Sequence, residues 1–168
     1  GKFVKEIKTD RMREGFEGPE FLFFRDNSRE VVLTEVDIEN ILRSKAAIYA
    51  GVSLLLKEVG IGFDAIEKVY IAGGFGNCID VDKAIILGML PDIPREKFFF
   101  IGNACVTGAY LCLISKELRQ EAGIIASKMT YIELSVSRGF MEEYMSALFL
   151  PHTHMRLFPT VKKLLSDS

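Results

Sequence analysis

The sequence predicts an α/β fold in one domain, and three observations carry that reading. Two short apolar runs, 68–72 and 97–101, each lead through glycine into a helical pattern, as parallel strands with helical crossovers do. A hairpin pattern and one long helix precede them. The chain has 168 residues, 49% of them apolar and 26% charged, which suits one packed core and excludes disorder.

Residues 1–20 are charged and carry Gly15, Gly18 and Pro19, so they read as an irregular lead-in. Glu20-Phe21-Leu22-Phe23-Phe24 and Glu30-Val31-Val32-Leu33 read as strands joined by the turn residues 25–29. Thr34-Glu35-Val36-Asp37 is a capping-box start, with Asp in place of Glu or Gln. Behind it, apolar residues from Ile38 to Val59 recur at spacings of three and four, and Gly60 ends the longest helix of the chain. Gly51 inside that helix suggests a close backbone neighbour. Lys68–Ala72 is a strand, and Asp80 caps a helix from Val81 to about Met89, before Pro91 and Pro94. Lys97–Ile101 is a strand so apolar that both of its faces are expected to be covered. Helices follow over 104–114 and 116–128, then a strand over 130–134 and a helix over 139–148. Pro151 breaks the pattern, and 160–166 closes it as a last turn of helix.

Composition excludes several functions. Net charge is −2, and no basic run exists to neutralise phosphates, which argues against nucleic-acid binding. No apolar run reaches about 18 residues, and the N-terminus has no signal-peptide core, so no membrane association is expected. Three cysteines without paired spacing fit a reducing cytoplasm, with each thiol expected to be small and buried. No C-x-x-C is present, so neither a metal site nor an iron–sulfur cluster is expected in this chain. Anaerobically purified protein should therefore carry no stoichiometric iron and sulfide. His152 and His154 are two ligands where a metal needs three or four, and they read as solvated or packing residues. Asp80 and Asp82 read as helix-cap charges, and no catalytic set can be assembled.

Two glycine motifs are the places where chemistry could sit. Ile71-Ala72-Gly73-Gly74-Phe75-Gly76-Asn77 ends a buried strand in three glycines, which lets the chain turn sharply and a ligand approach bare peptide groups. A plain packing turn has the same composition, so both readings stand on the motif alone. Gly102-Asn103 ends the next strand, and two such ends on parallel neighbours open on the same sheet edge. Gly108 and Ala109 read as packing residues. No G-x-x-x-x-G-K-[ST] occurs, so the chain is not a P-loop protein. The dinucleotide fingerprint fails on its third glycine, where Ile79 stands, and on Glu96, which lies at the wrong end of its strand.

Val69 to Asn77, Ile101-Gly102-Asn103 with Gly108-Ala109, Glu133-Leu134-Ser135 and Phe158-Pro159 together resemble the C-terminal domain of the reductive activators of corrinoid proteins. The segment from Thr34 to Gly51 is similar to that family's long helix, and the resemblance covers roughly 10–160. It implies a ribonuclease-H-like, actin-like ATPase lobe with a mixed sheet and helices on both faces. Within it, 1–33 would be lead-in and hairpin, 34–150 the ATPase C-terminal lobe and 151–168 a C-terminal tail. It implies ATP with magnesium as cofactor, with Lys45, Gly73, Gly74, Phe75, Gly76, Asn77, Gly102 and Asn103 as nucleotide-binding residues. Lys45 lies on the apolar face of the long helix, where it either snorkels or meets a ligand, and the resemblance favours the ligand. Full-length relatives spend ATP to reduce a cobalt(II) corrinoid to cobalt(I), with an iron–sulfur cluster in a separate N-terminal domain. The expected partner is the corrinoid protein of a methyltransferase system, and a homodimer stays open. No phosphate-binding motifs precede the adenosine motif here, so the chain reads as the C-terminal lobe of a larger protein that hydrolyses ATP poorly by itself. The competing class is a non-catalytic module that docks a corrinoid protein.

Overall fold

A computed structural model describes residues 2–3, 9–74, 76–134, 136–137 and 139–167. Three strands open the chain: β1 (Met12–Gly15), β2 (Gly18–Arg25) and β3 (Glu30–Thr34). They form an antiparallel sheet in that order, with Met12 opposite Phe21 and Phe21 opposite Leu33. The lead-in is therefore not irregular over 12–15. Its charged strand is held by ion pairs of Arg13, to Glu20 on β2 at 2.6 Å and to Glu30 on β3 at 2.5 Å. Gly18, with φ of +103°, turns β1 into β2.

Helix α1 (Glu35–Glu58) starts at the capping box read from the sequence. The Asp37 amide donates to Thr34 Oγ1 at 3.1 Å, and the Thr34 amide donates to Asp37 Oδ2 at 2.9 Å. The Thr34 amide, and after it the Thr34 hydroxyl at 2.9 Å, donate to the Asp37 carboxylate and hold it below the usual carboxylate range. Gly51 faces the Leu134 side chain at ordinary contact distance, not a neighbouring backbone.

Strands β4 (Val69–Ile71) and β5 (Phe98–Phe100) pair in parallel, Val69 beside Phe98 and Ile71 beside Phe100. Between them runs α2 (Val81–Leu87), capped by Asp80 through a bond from the Lys83 amide at 3.1 Å. Then come α3 (Ala104–Ile114), α4 (Lys116–Lys128), α5 (Phe140–Ala147) and α6 (Pro159–Ser166).

Three expectations need correction. Residues 130–134 form no strand: Tyr131 is exposed, and no partner strand pairs with this stretch among the described residues. The described residues form two sheets, β1–β2–β3 and β4–β5, rather than one mixed sheet. Among the described residues the β4–β5 pair is covered on one face, not both. Phe98 is buried, whereas Tyr70 is 58% and Phe99 41% exposed on the other face. Continuous apolar composition marks strands that get covered, but a face is buried only where another element reaches it.

The core is where α1, α2, β5, α5 and α6 meet. Ala46, Tyr49, Ile85, Phe98, Ala147, Phe158 and Val161 form one buried cluster. The segment read as a tail thus contributes core side chains, and Pro151 and His152 are buried with them. Helices α3 and α4 pack on each other and bury no residue, leaving Val106, Tyr110, Leu113 and Ile114 exposed. No described helix is long and apolar enough to cross a membrane.

Asp92 fastens α6 to this core. Its side chain is 1% exposed and accepts from the Thr160 amide at 2.7 Å, the Thr160 hydroxyl at 2.6 Å and Arg95 at 3.1 Å. Asp92→Ala leaves those donors without their acceptor and is expected to cost about 2–3 kcal/mol. A urea titration measures this, with hydrogen exchange in α6 rising first. An unchanged midpoint would remove Asp92 from this role.

Candidate functional site

The carboxyl edge of β4–β5 gathers both glycine motifs. The Ile101 amide donates to the Ile71 carbonyl at 3.0 Å, continuing the ladder one step past the strands. The Gly73 amide then donates to the Gly102 carbonyl at 2.7 Å, which ties the two loops together on one edge as their sequence positions anticipated. Gly73 and Gly102 lie in the left-handed region, with φ of +92° and +63°, so a side chain at either would strain the backbone.

Gly74 and Gly76 differ in kind. Gly74 is exposed, its φ lies outside the left-handed region, and a Cβ there would meet nothing within 4 Å. Gly76 is buried, and a Cβ there would stand 2.8 Å from Ile71 Cγ2, so this glycine lets the loop fold back onto its strand. The chain continues through a 3-10 turn, Gly76–Cys78, whose Gly76 carbonyl accepts from Ile79 at 3.2 Å, and enters α2 at Asp80. Phe75 and the Asn77 side chain lie outside the described residues.

Across the edge, Asn103 caps α3, its side-chain oxygen accepting from the Val106 amide at 3.2 Å. The α3 amino end therefore lies at the same edge as the bare Gly73-Gly74 peptides. Among the described residues nothing stands within 4 Å of a Cβ added at Gly73, Gly74 or Gly102, so an anionic or flat ligand can approach these peptides. Gly108, read as a packing glycine, borders open space in this chain.

Lys45 has other partners. It is fully buried, and its ammonium donates to the carbonyls of Phe149 and Pro151, the latter at 2.7 Å. Burial pushes its pKa down to about 8. The unfolded chain, with an ordinary lysine near 10.5, then binds more protons between those values than the folded chain does. Stability relative to Lys45→Met is expected to rise with pH from about 8 to about 10, by up to about 1 kcal/mol per pH unit. Urea midpoints of both proteins at several pH values test this, and a flat or falling difference refutes it.

His152 packs inside, as one of its two sequence readings had it. Its Nδ1 accepts from the His154 amide at 3.0 Å, and its Nε2 stands 3.4 Å from Glu143 Oε1. That imidazole is the main cause holding the Glu143 carboxyl below its usual range. The cysteines depart from expectation: Cys78 and Cys105 are exposed, because the 3-10 turn and the first turn of α3 face solvent. Among the described residues no group of three His, Cys, Asp or Glu could hold a metal ion.

Sequence reasoning missed the junction at Gly88. This residue ends α2 in the left-handed region, with φ of +78°. A Cβ there would stand 2.8 Å from the Pro151 carbonyl carbon and nearer still to its oxygen. A glycine after the last helical residue is a stop signal that the pattern around Pro91 obscured.

Comparisons with known proteins identify the family and the fold. Residues 1–162 match a family model described as the C-terminal domain of RACo, the ASKHA domain. The corrinoid activation enzyme RamQ of Eubacterium limosum is 42% identical over 120 residues, covering 70% of this chain and 20% of its own length. The [Co(II) methylated amine-specific corrinoid protein] reductase of Methanosarcina barkeri is 28% identical over 120 residues, covering 70% of this chain and 22% of its own. A solved structure of a reductive activator for corrinoid, iron-sulfur protein superposes with a TM-score of 0.87 at 44% identity, over 95% of this chain and 26% of that one. The chain spans about a fifth to a quarter of the length of these relatives.

Proposed function

This chain belongs to the family of the C-terminal ASKHA domain of RACo, and from that premise we propose that it is the ATPase lobe of a reductive activator acting on a corrinoid protein. The observation that carries the reading is the paired edge, where the Gly73 and Gly102 loops are bonded to each other and the Gly74 peptide is bare.

Gly73 and Gly74 on one loop and Gly102 and Asn103 on the other present the nucleotide site at this edge, and Phe75, Gly76 and Asn77 are proposed as nucleotide-binding residues of the same glycine motif. The adenosine lies against the Gly73-Gly74 backbone, where a missing Cβ leaves room for a flat ring and ribose. In the full-length protein, bound ATP with magnesium would supply the free energy for passing one electron from an iron–sulfur cluster of an N-terminal domain to cobalt(II), giving cobalt(I). This lobe's own part is to bind and orient the adenosine half.

The second reading, a non-catalytic docking module for a corrinoid protein, draws on the exposed Val106, Tyr110, Leu113 and Ile114 of α3. Calorimetry on the full-length protein separates the two. A non-hydrolysable ATP analogue that binds wild type, and binds weakly when the glycine loop is altered, supports the ATPase lobe. Corrinoid-protein binding with no nucleotide binding supports the docking module.

A further inference from the structure

The structure leaves the Lys45 ammonium buried, yet ties it to the site through two backbone contacts. Its partner at 2.7 Å is the Pro151 carbonyl. That same peptide is the one that Gly88 touches so closely that a Cβ could not be accommodated. Gly88 caps the end of α2, and Asp80, which caps its start, stands two residues after the 3-10 turn that closes the glycine loop. The helix is seven residues long, about 10 Å at its rise per residue. Ala84 and Ile85 bury it in the core.

We propose that Lys45 is a positioning residue for the glycine loop: its ammonium fixes the Pro151 carbonyl on which the end of α2 rests, and α2 sets the far end of that loop. The near end is already pinned, by the bond from Gly73 to Gly102. The far end runs into α2 and takes its place from that helix. Without the ammonium, the Phe149 and Pro151 carbonyls lose this buried donor, and segment 149–151 must shift or admit water to satisfy them. Gly88 leaves no slack, so the end of α2 moves with it. This role rests on the nucleotide reading of the loop, and it explains how Lys45 serves that site without touching a ligand.

The test uses full-length protein carrying Lys45→Met, which keeps the apolar stem and removes the ammonium. Affinities for adenosine, ADP and ATP are measured by calorimetry well below the melting temperature. Equal losses of roughly tenfold for all three are expected, the scale of losing an outer-shell partner. A lowered melting temperature with unchanged affinities overturns the proposal, because stability alone would then explain Lys45. Losses confined to ADP and ATP overturn it as well, because they report a direct contact with phosphate. Hydrogen exchange of the wild type, with and without a non-hydrolysable ATP analogue, covers the case in which the variant fails to fold. Slowed exchange at 84–90 and 149–153, beyond that at 73–79, is expected. Protection confined to the two glycine loops overturns the proposal. A wild type that binds none of the three nucleotides overturns the nucleotide reading and this role with it; a wild type that binds, beside a variant that binds equally well, overturns the role alone.

Discussion

Full-length protein carrying Gly74→Val is expected to fold like the wild type and to bind ATP at least about tenfold more weakly, roughly 1.4 kcal/mol. The expectation separates ligand from fold because of where Gly74 stands. Its φ lies outside the left-handed region and a Cβ meets nothing within 4 Å, so a valine has room within the chain. What the two methyl groups obstruct is the space beside the bare peptide, which the nucleotide reading fills with adenosine. Gly73 does not serve this purpose, because at φ of +92° any side chain strains the turn whether or not a ligand binds. Corrinoid reduction should fall in step with ATP binding. A folded Gly74→Val protein that binds and turns over ATP normally would make this loop a packing turn.

The largest loss of stability is expected from Gly88→Ala, at least about 3 kcal/mol, from left-handed strain and a backbone clash acting together. Gly60 provides the control, with a similar φ of +72° and nothing within 4 Å of a Cβ. Gly60→Ala should cost only the strain, about 1–2 kcal/mol. The difference between the two variants isolates the contact with Pro151, which is backbone and cannot rotate away. Guanidinium titrations of both variants measure it. Equal costs would mean that Pro151 moves aside freely, and the junction would lose its importance for α2.

Much of this architecture was legible because its causes are local. The Thr34 capping box, the Asp80 cap and the glycine-ended strands each draw their signal from residues within a few positions of one another. The shared edge of the two loops was legible too, because parallel strands joined by a crossover must open on the same side. Strand β1 was not legible, since what keeps Arg13 extended is Glu20 across the turn and Glu30 on the third strand. The stretch 130–134 misled for the opposite reason: its strand-like composition found no edge to pair with among the described residues.

By itself, then, the sequence determined the α/β class, most element starts, the glycine edge and the family, all through short-range pattern. Only the tertiary structure decided the place of Lys45, whose carbonyl partners lie 104 and 106 residues further along the chain. It alone decided that Gly88 rests on Pro151 and that Asp92 holds α6. A buried charge takes whichever acceptors the folded chain brings within reach, and a glycine is required wherever another backbone comes too close for a Cβ. Both depend on which distant segments share a volume, and no local spacing records that.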